Sequence, residues 1–424
     1  MKPQKKENYH SPKRSLEEFK SFCRQNLMAD LREIEITRKK VLRSIEIVTL
    51  VSVIAIGLAV RFMLTVPSSQ TILVSLSIVG ITPLLWVAFY TSATETYGQG
   101  FQRNVIEKIV RFLDPERNLT YSRTGDPAVV LSALQKSQLF KGTNQSLRLK
   151  QDRRTVEAIG GLDVFPIPQI TKSIDGIKQV IDLQQDHCIN GKIGETNVFF
   201  SELNVQREAS HIWTSNIFEL IYDFSRYGGS GVAITALVLL LAFVSRGLPY
   251  CLYRIAAGQR INFEHFRNEI ILNTASYEQI FKGIFFISDF SKTFRGKTVI
   301  LPNKLRSKVK FLNQHRGQSV KLEDPEFNKF FSVYSNDQIG ARYVLSTSVM
   351  QRIVDFRKKA NRDLFIALVD SQLYIAVPSE EDLFEPRLFK TMLSFNPMRE
   401  YFEILQLMMS IVEDLNLNQR IWKI

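Results

Sequence analysis

Asp186, His187 and Cys188 stand side by side. A carboxylate, an imidazole and a thiol are the three groups of a nucleophilic relay, in which the ring takes the thiol proton and the acid orients the ring. Neighbours in an extended segment point to opposite faces, so this run cannot close that relay. His10, His211, His265 and His315 show no i, i+4 pairing, and a metal centre needs converging ligands. Glu323, Asp324 and Glu326, and farther on Ser379 to Asp382, gather carboxylates that a divalent cation could use. Around Pro325 they read as solvated turn residues. Gly191-Lys192-Ile193-Gly194 lacks the strand, loop and helix of a phosphate cradle. Cys23, Cys188 and Cys251 are odd in number and far apart, which excludes a disulfide framework and a CxxC site and fits a reducing compartment. The residues therefore predict no catalytic, cofactor-binding or metal site, and no cofactor. Asn118-Leu119-Thr120 reads as a chance glycosylation match.

The elements that carry these residues are short apolar runs punctuated by Gly, Pro, Asn and Asp. Cys188 to Leu203 reads as two strands joined at a glycine turn. Gly283 to Phe290 followed by Thr298 to Pro302 has the same strand-turn-strand rhythm. Phe330 to Val333, Leu364 to Val369 and Leu373 to Val377 are further strand candidates. Ser346 to Asn361 reads as a helix through Val349, Met350, Ile353, Val354 and Phe356, and Pro397 to Asn416 as an amphipathic helix. Upstream, Tyr97 to Leu113 predicts a helix ended by Asp114-Pro115, and Asp126-Pro127 begins a shorter one through Leu134. Asn118 to Asp126 is turn-rich. This pattern is that of an α+β domain.

Ahead of it lie two long apolar runs, Ile47 to Val66 and Thr71 to Ala93, separated by Pro67, Ser68, Ser69 and Gln70. Each approaches the ~20 residues that a helix needs to cross hydrocarbon. Arg61 sits near one end, where a long side chain reaches the headgroups, and Trp86 and Tyr90 sit where amphipathic rings favour the interface. Lys and Arg crowd the outer flanks, including Arg38, Lys39, Lys40, Arg43, Arg103, Lys108 and Arg111, and the turn holds none. That asymmetry predicts a transmembrane hairpin with both ends cytoplasmic, in a cell inner (plasma) membrane. Leu16 to Ser44 reads as an amphipathic helix that either lies on lipid or packs on the cytoplasmic domain, and the residues before it as a polar basic arm.

The formal net charge is +13. Much of it flanks the hairpin, where basic groups meet anionic headgroups, so the bilayer is the expected partner. No zinc spacing, recognition helix or aromatic-basic RNA motif points to nucleic acid.

Four groups of residues resemble an uncharacterised bacterial membrane protein family defined by a domain of unknown function. They are Asn190-Gly191-Lys192-Ile193-Gly194 with Phe200-Ser201-Glu202-Leu203; Phe281 to Phe286 with Asp289-Phe290 and Lys292; Leu322 to Phe327 with Phe330 and Val333-Tyr334-Ser335; and Leu383-Phe384-Glu385-Pro386. The resemblance covers roughly residues 137–424 and implies two leading membrane helices but no catalytic residue, substrate or cofactor. Within it, Tyr227 to Ser245 is a third charge-free run. A single crossing there would put Asn190 to Leu203 and Gly283 to Pro302 on opposite sides, where they could not share a sheet. Arg226 before it, Arg246, Arg254 and Arg260 after it, and breaks expected at Gly228 and Gly247-Leu248-Pro249 favour a run that dips into the cytoplasmic leaflet, lies along it, or packs on another subunit; the alternatives are a third true span with the C-terminal half outside, and a soluble core helix.

The expected plan is an α+β cytoplasmic domain on an N-terminal transmembrane helical hairpin, with a third hydrophobic helix inserted in the domain. Its parts are a basic arm with the amphipathic helix (1–44), the hairpin (45–93), a helical connector (94–160) and the α+β domain (161–424) interrupted at about 209–277. The expected function is a non-catalytic membrane-anchored binding or scaffold module for a partner protein or homo-oligomer. The alternative is a subunit of a transport or channel assembly, which the scarcity of ionisable residues in the spans disfavours.

Overall fold

The computed structural model describes residues 14–123, 125–140, 148–149, 180–194, 196–209, 237–256, 261, 263, 266, 270, 276–289, 296–303, 317–379 and 382–414. Two helices lead. The first, α1, runs continuously over Leu16–Thr65, and the second, α2, over Ser69–Leu113. Ser15 starts α1 with a capping box: its hydroxyl accepts from the Glu18 N–H, and the Glu18 carboxylate accepts from the Ser15 N–H. Ser68 and Thr71 repeat the device at the head of α2. The two helices form an antiparallel pair, with Trp86 Nε1 donating to Thr49 Oγ1 at 2.8 Å. Beyond that bond the apolar residues turn outward: Ile47 and Leu50 are each 61% exposed and Leu64 is 72% exposed. A continuous belt of this kind is a liability in water and a fitting surface for lipid.

The other halves of the same helices are buried in the domain. Phe19 stacks on Phe402 with centroids 4.2 Å apart, and Phe101 lies 5.3 Å from Tyr401. Arg38 bridges Glu35 and donates to the Leu388 carbonyl at 2.8 Å. Of the two placements open to Leu16–Ser44, the structure adopts packing on the domain. Both helices pass without a break from the exposed belt into the core, so residue 93 ends no helix.

The described strands build one ten-stranded sheet. They are β1 (Leu119–Ser122), β2 (Arg148–Leu149), β3 (Val180–Ile193), β4 (Thr196–Ala209), β5 (Ser276–Asp289), β6 (Lys297–Pro302), β7 (Gln318–Val320), β8 (Phe331–Ser335), β9 (Phe365–Val369) and β10 (Gln372–Pro378). The order is β1-β3-β4-β5-β10-β9-β6-β8-β7; β2 pairs parallel with β3, and every other pairing is antiparallel. Alternation along the strands divides the core. Phe200, Ile284, Phe286, Ile300, Ile366 and Ile375 join α1, α2, a third apolar helix α4 (Leu237–Ala256), α7 (Thr347–Ala360) and α8 (Phe395–Asp414) on one face. Leu203, Phe285, Val299, Ala367 and Tyr374 meet α3 (Pro127–Ser137) on the other. Two short helices, α5 (Pro325–Phe330) and α6 (Gln338–Val344), flank β8.

Several expectations change. The strands β5 and β6 exist, but they are not partners: β10 and β9 lie between them. Glu323 and Glu326 are exposed as expected, but the turn is a helix start, with Asp324 Oδ1 accepting from the N–H groups of Glu326 and Phe327. The turn-rich stretch from Asn118 contains the edge strand β1. The break expected at Gly247-Leu248-Pro249 is absent, because a π-helical turn at Phe243–Gly247 relaxes the hydrogen-bond ladder ahead of Pro249 and α4 continues to Ala256. Part of the Tyr227–Ser245 run lies outside the described residues. The two blocks on either side of it do share the sheet, from Val198↔Ser288 to Ala209↔Ser276, which excludes a net crossing between them.

Candidate functional site

Where α2 leaves the apolar belt and reaches the sheet, its ladder widens into a π-helical turn, Gln102–Ile106. Such turns re-aim a side chain, and here the one re-aimed is Gln102, which is 2% exposed. A second irregularity faces it. The register of β3 and β4 slips between Asp186 and Ile189, and His187 takes a left-handed φ of 54°. A bulge of this kind throws one side chain out of the strand's alternation.

His187 is 1% exposed, and its backbone N–H and both ring nitrogens have partners. Its N–H donates to the Arg123 carbonyl at 2.9 Å. Nδ1 lies 2.9 Å from Tyr121 Oη, and Nε2 lies 3.2 Å from Gln102 Nε2 and 3.6 Å from Glu385 Oε1. The amide nitrogen of Gln102 also donates to Glu385 Oε1 at 2.7 Å. Each ring nitrogen thus has a side-chain partner, Tyr121 at Nδ1 and Gln102 at Nε2. Tyr401 Oη donates to the Glu385 carbonyl at 2.8 Å, and the Phe384 ring lies 5.1 Å from the imidazole. Gln102 Oε1 is buried and meets no partner among the described residues.

Beside this cluster Glu202 points inward from β4. It accepts from the Leu383 N–H at 2.8 Å, and Lys282 pairs with Asp382 at 2.7 Å close by. Burial, more than any neighbouring charge, pushes the Glu202 carboxyl up to about 8; Asp382, Glu385 and Asp186 add to the effect and the Leu383 N–H opposes it. A carboxyl so placed favours its protonated form.

His187 and Cys188 take different partners and form no relay. Cys188 points to Ser201 Oγ at 3.4 Å and to Gln185 Nε2 at 3.0 Å, on the far side from the imidazole. Burial raises its thiol, and burial also raises the Tyr121 and Tyr401 phenols. The thiol is therefore held away from the thiolate that nucleophilic chemistry needs. The arrangement can hold protons and fix two elements against each other. Among the described residues no three His, Cys, Asp or Glu side chains converge as a metal site. His10, His211, His265 and His315 lie outside the described residues.

Glycine explains two of the quoted motifs. Gly191, at φ 149°, lets Asn118 cross so closely that an added Cβ would stand 2.0 Å from its carbonyl oxygen. Gly283, at φ 140°, does the same for Val377 at 2.2 Å. The polar joint itself escapes sequence reading, since Gln102, Tyr121, Glu202, Glu385 and Tyr401 are scattered along the chain. The one signal for it was an acid inside an apolar run, Phe199-Phe200-Ser201-Glu202-Leu203.

No curated protein and no solved structure matches this chain. A family model matches residues 279–417, taking in the motifs at Phe281, Leu322 and Leu383 and leaving out the one at Asn190. That segment is similar to the family described as protein of unknown function (DUF3137).

Proposed function

We propose that this chain is a membrane-anchored protein whose α+β domain serves at the cytoplasmic face of the inner membrane as a non-catalytic binding or scaffold module, taking a partner protein or anionic headgroups. The observation that carries this reading is the continuity of α1 and α2. Each presents an apolar exposed half of membrane-crossing length, and each buries its other half in the domain, through Phe19, Leu27 and Leu31 and through Phe101, Val105 and Ile109. Such an anchor is rigid, because the residues that hold the helix are core residues of the domain. Arg38, Lys39, Lys40 and Arg43 on α1 and Arg103, Lys108 and Arg111 on α2 crowd the domain's end of both helices, which supports the cytoplasmic assignment. The shielded, protonated thiol of Cys188 supports binding over covalent chemistry.

Membranes from cells expressing the full chain, washed at alkaline pH and then treated with detergent, test the anchor. The protein should stay with the membranes through the wash and leave only in detergent; recovery in the aqueous fraction would overturn the reading. Flotation of the purified chain with neutral and with anionic vesicles, beside affinity capture from solubilised membranes, tests the binding role. Loss of both headgroup preference and any stoichiometric partner would remove it.

A further inference from the structure

The path from β4 to β5 begins and ends at one place. Ala209 pairs with Ser276 at the end of a ladder that runs unbroken in direction to Val198↔Ser288, so the stretch between them returns to the side of the bilayer that it left. Crossings within it must therefore come in pairs. Among the described residues of that stretch one helix, α4, is long and apolar enough to cross.

The placement of α4 is fixed by its inner face. Leu239, Ala242 and Cys251 are buried, and Cys251 interacts electrostatically with Tyr90 of α2. Tyr90 stacks on Trp86 at 5.5 Å, and Trp86 holds Thr49, so this level is the domain-side end of the exposed belt. The outer face is equally apolar. Leu237, Leu241, Val244, Leu248 and Leu252 recur every three or four residues, and each is between 41% and 59% exposed. Arg246 lies midway along the helix. In a helix confined to one leaflet its stem reaches the headgroups.

We propose that α4 is a one-sided lipid-contacting element: it seats its Leu237, Leu241, Val244, Leu248 and Leu252 stripe among the acyl chains of the leaflet on the domain's side and does not cross. The occupant is lipid because the stripe continues the exposed belt of α1 and α2 at the level marked by Trp86 and Tyr90. This rests on the anchored reading of the hairpin, and the test separates the two.

The native thiols Cys23, Cys188 and Cys251 are buried and can stay in place. Single cysteines are introduced into the full chain as S69C at the hairpin tip, E323C on the domain, L237C and A256C at the ends of α4, and L248C on its stripe. Each is challenged with a membrane-impermeant maleimide in vesicles of both orientations. S69C and E323C should react from opposite sides, and neither L237C nor A256C should react from the S69C side. A spin label at L248C should collide more often with oxygen than with a water-soluble nickel chelate, the reverse of a label at E323C. Reaction of either α4 end from the S69C side, water-like collision at L248C, or cross-linking of L248C between copies overturns this inference alone. Reaction of S69C and E323C from one side overturns the hairpin reading, and the leaflet assignment with it.

Discussion

His187 illustrates how much one side chain can hold when it is withdrawn from water. It gives Tyr121 and Gln102 a partner each, and Gln102 is buried away from solvent. His187→Ala should therefore cost about 1–3 kcal/mol for each group left unsatisfied. The measurement is thermal unfolding of the purified chain in detergent, and an unchanged midpoint would show that the contacts carry no stability. Glu202 makes a prediction with a sign. Its carboxyl keeps its proton in the folded chain up to about 8, against an ordinary 4.5, so between those values the folded state binds a proton that the unfolded state has released. Stability from this group falls as pH rises through that window and is level outside it. Glu202→Gln should flatten the decline, as seen by comparing melting at about pH 5 and about pH 8. Alternation in the sequence showed that Asp186, His187 and Cys188 part company, but not where the imidazole goes. That depends on a left-handed residue and a register slip, which no periodicity announces.

At the scale of elements, the joint between α1 and the domain should be the costliest to disturb. Phe19 is fully buried and stacks on Phe402, and Phe19→Ala should cost about 3–5 kcal/mol and loosen the helix from α8. Hydrogen exchange would show it as lost protection in Leu16–Phe22 with the belt unaffected. A smaller effect is expected at α5, where Asp324→Ala removes the acceptor of two backbone N–H groups, worth about 1 kcal/mol. Long periodic segments were legible: the helix read from Ser346 to Asn361 is Thr347–Ala360, flanked by the two residues that bounded it, with Asn361 left-handed at φ 49°. What escaped were elements too short to show a period, namely β1, β7 and α6. Glu323 to Glu326 misled because a helix cap and a turn use the same residue types.

For the whole molecule, the strand order was beyond the sequence. Consecutive runs at 283–290 and 298–302 suggest a hairpin, and only pairing energies across the complete sheet put β10 and β9 between them. The same long ladder predicts that the chain tolerates a cut. A protease site placed between Ala209 and Ser276 should, once cleaved in detergent, leave two fragments that purify together, because β4 and β5 stay paired over their lengths. Separation without denaturant would mean that the covalent link, not the sheet, joins the halves. The continuity of α1 has a mechanical consequence of its own. Its 50 residues make a rod with a contour of about 75 Å, with one end in the exposed apolar belt and the other in the domain's aromatic core. A pivot at the outer tip carries the Leu16 end through about 1.3 Å for every degree of tilt, so under the proposed anchoring a membrane that thins or thickens would be a lever acting on the body below it.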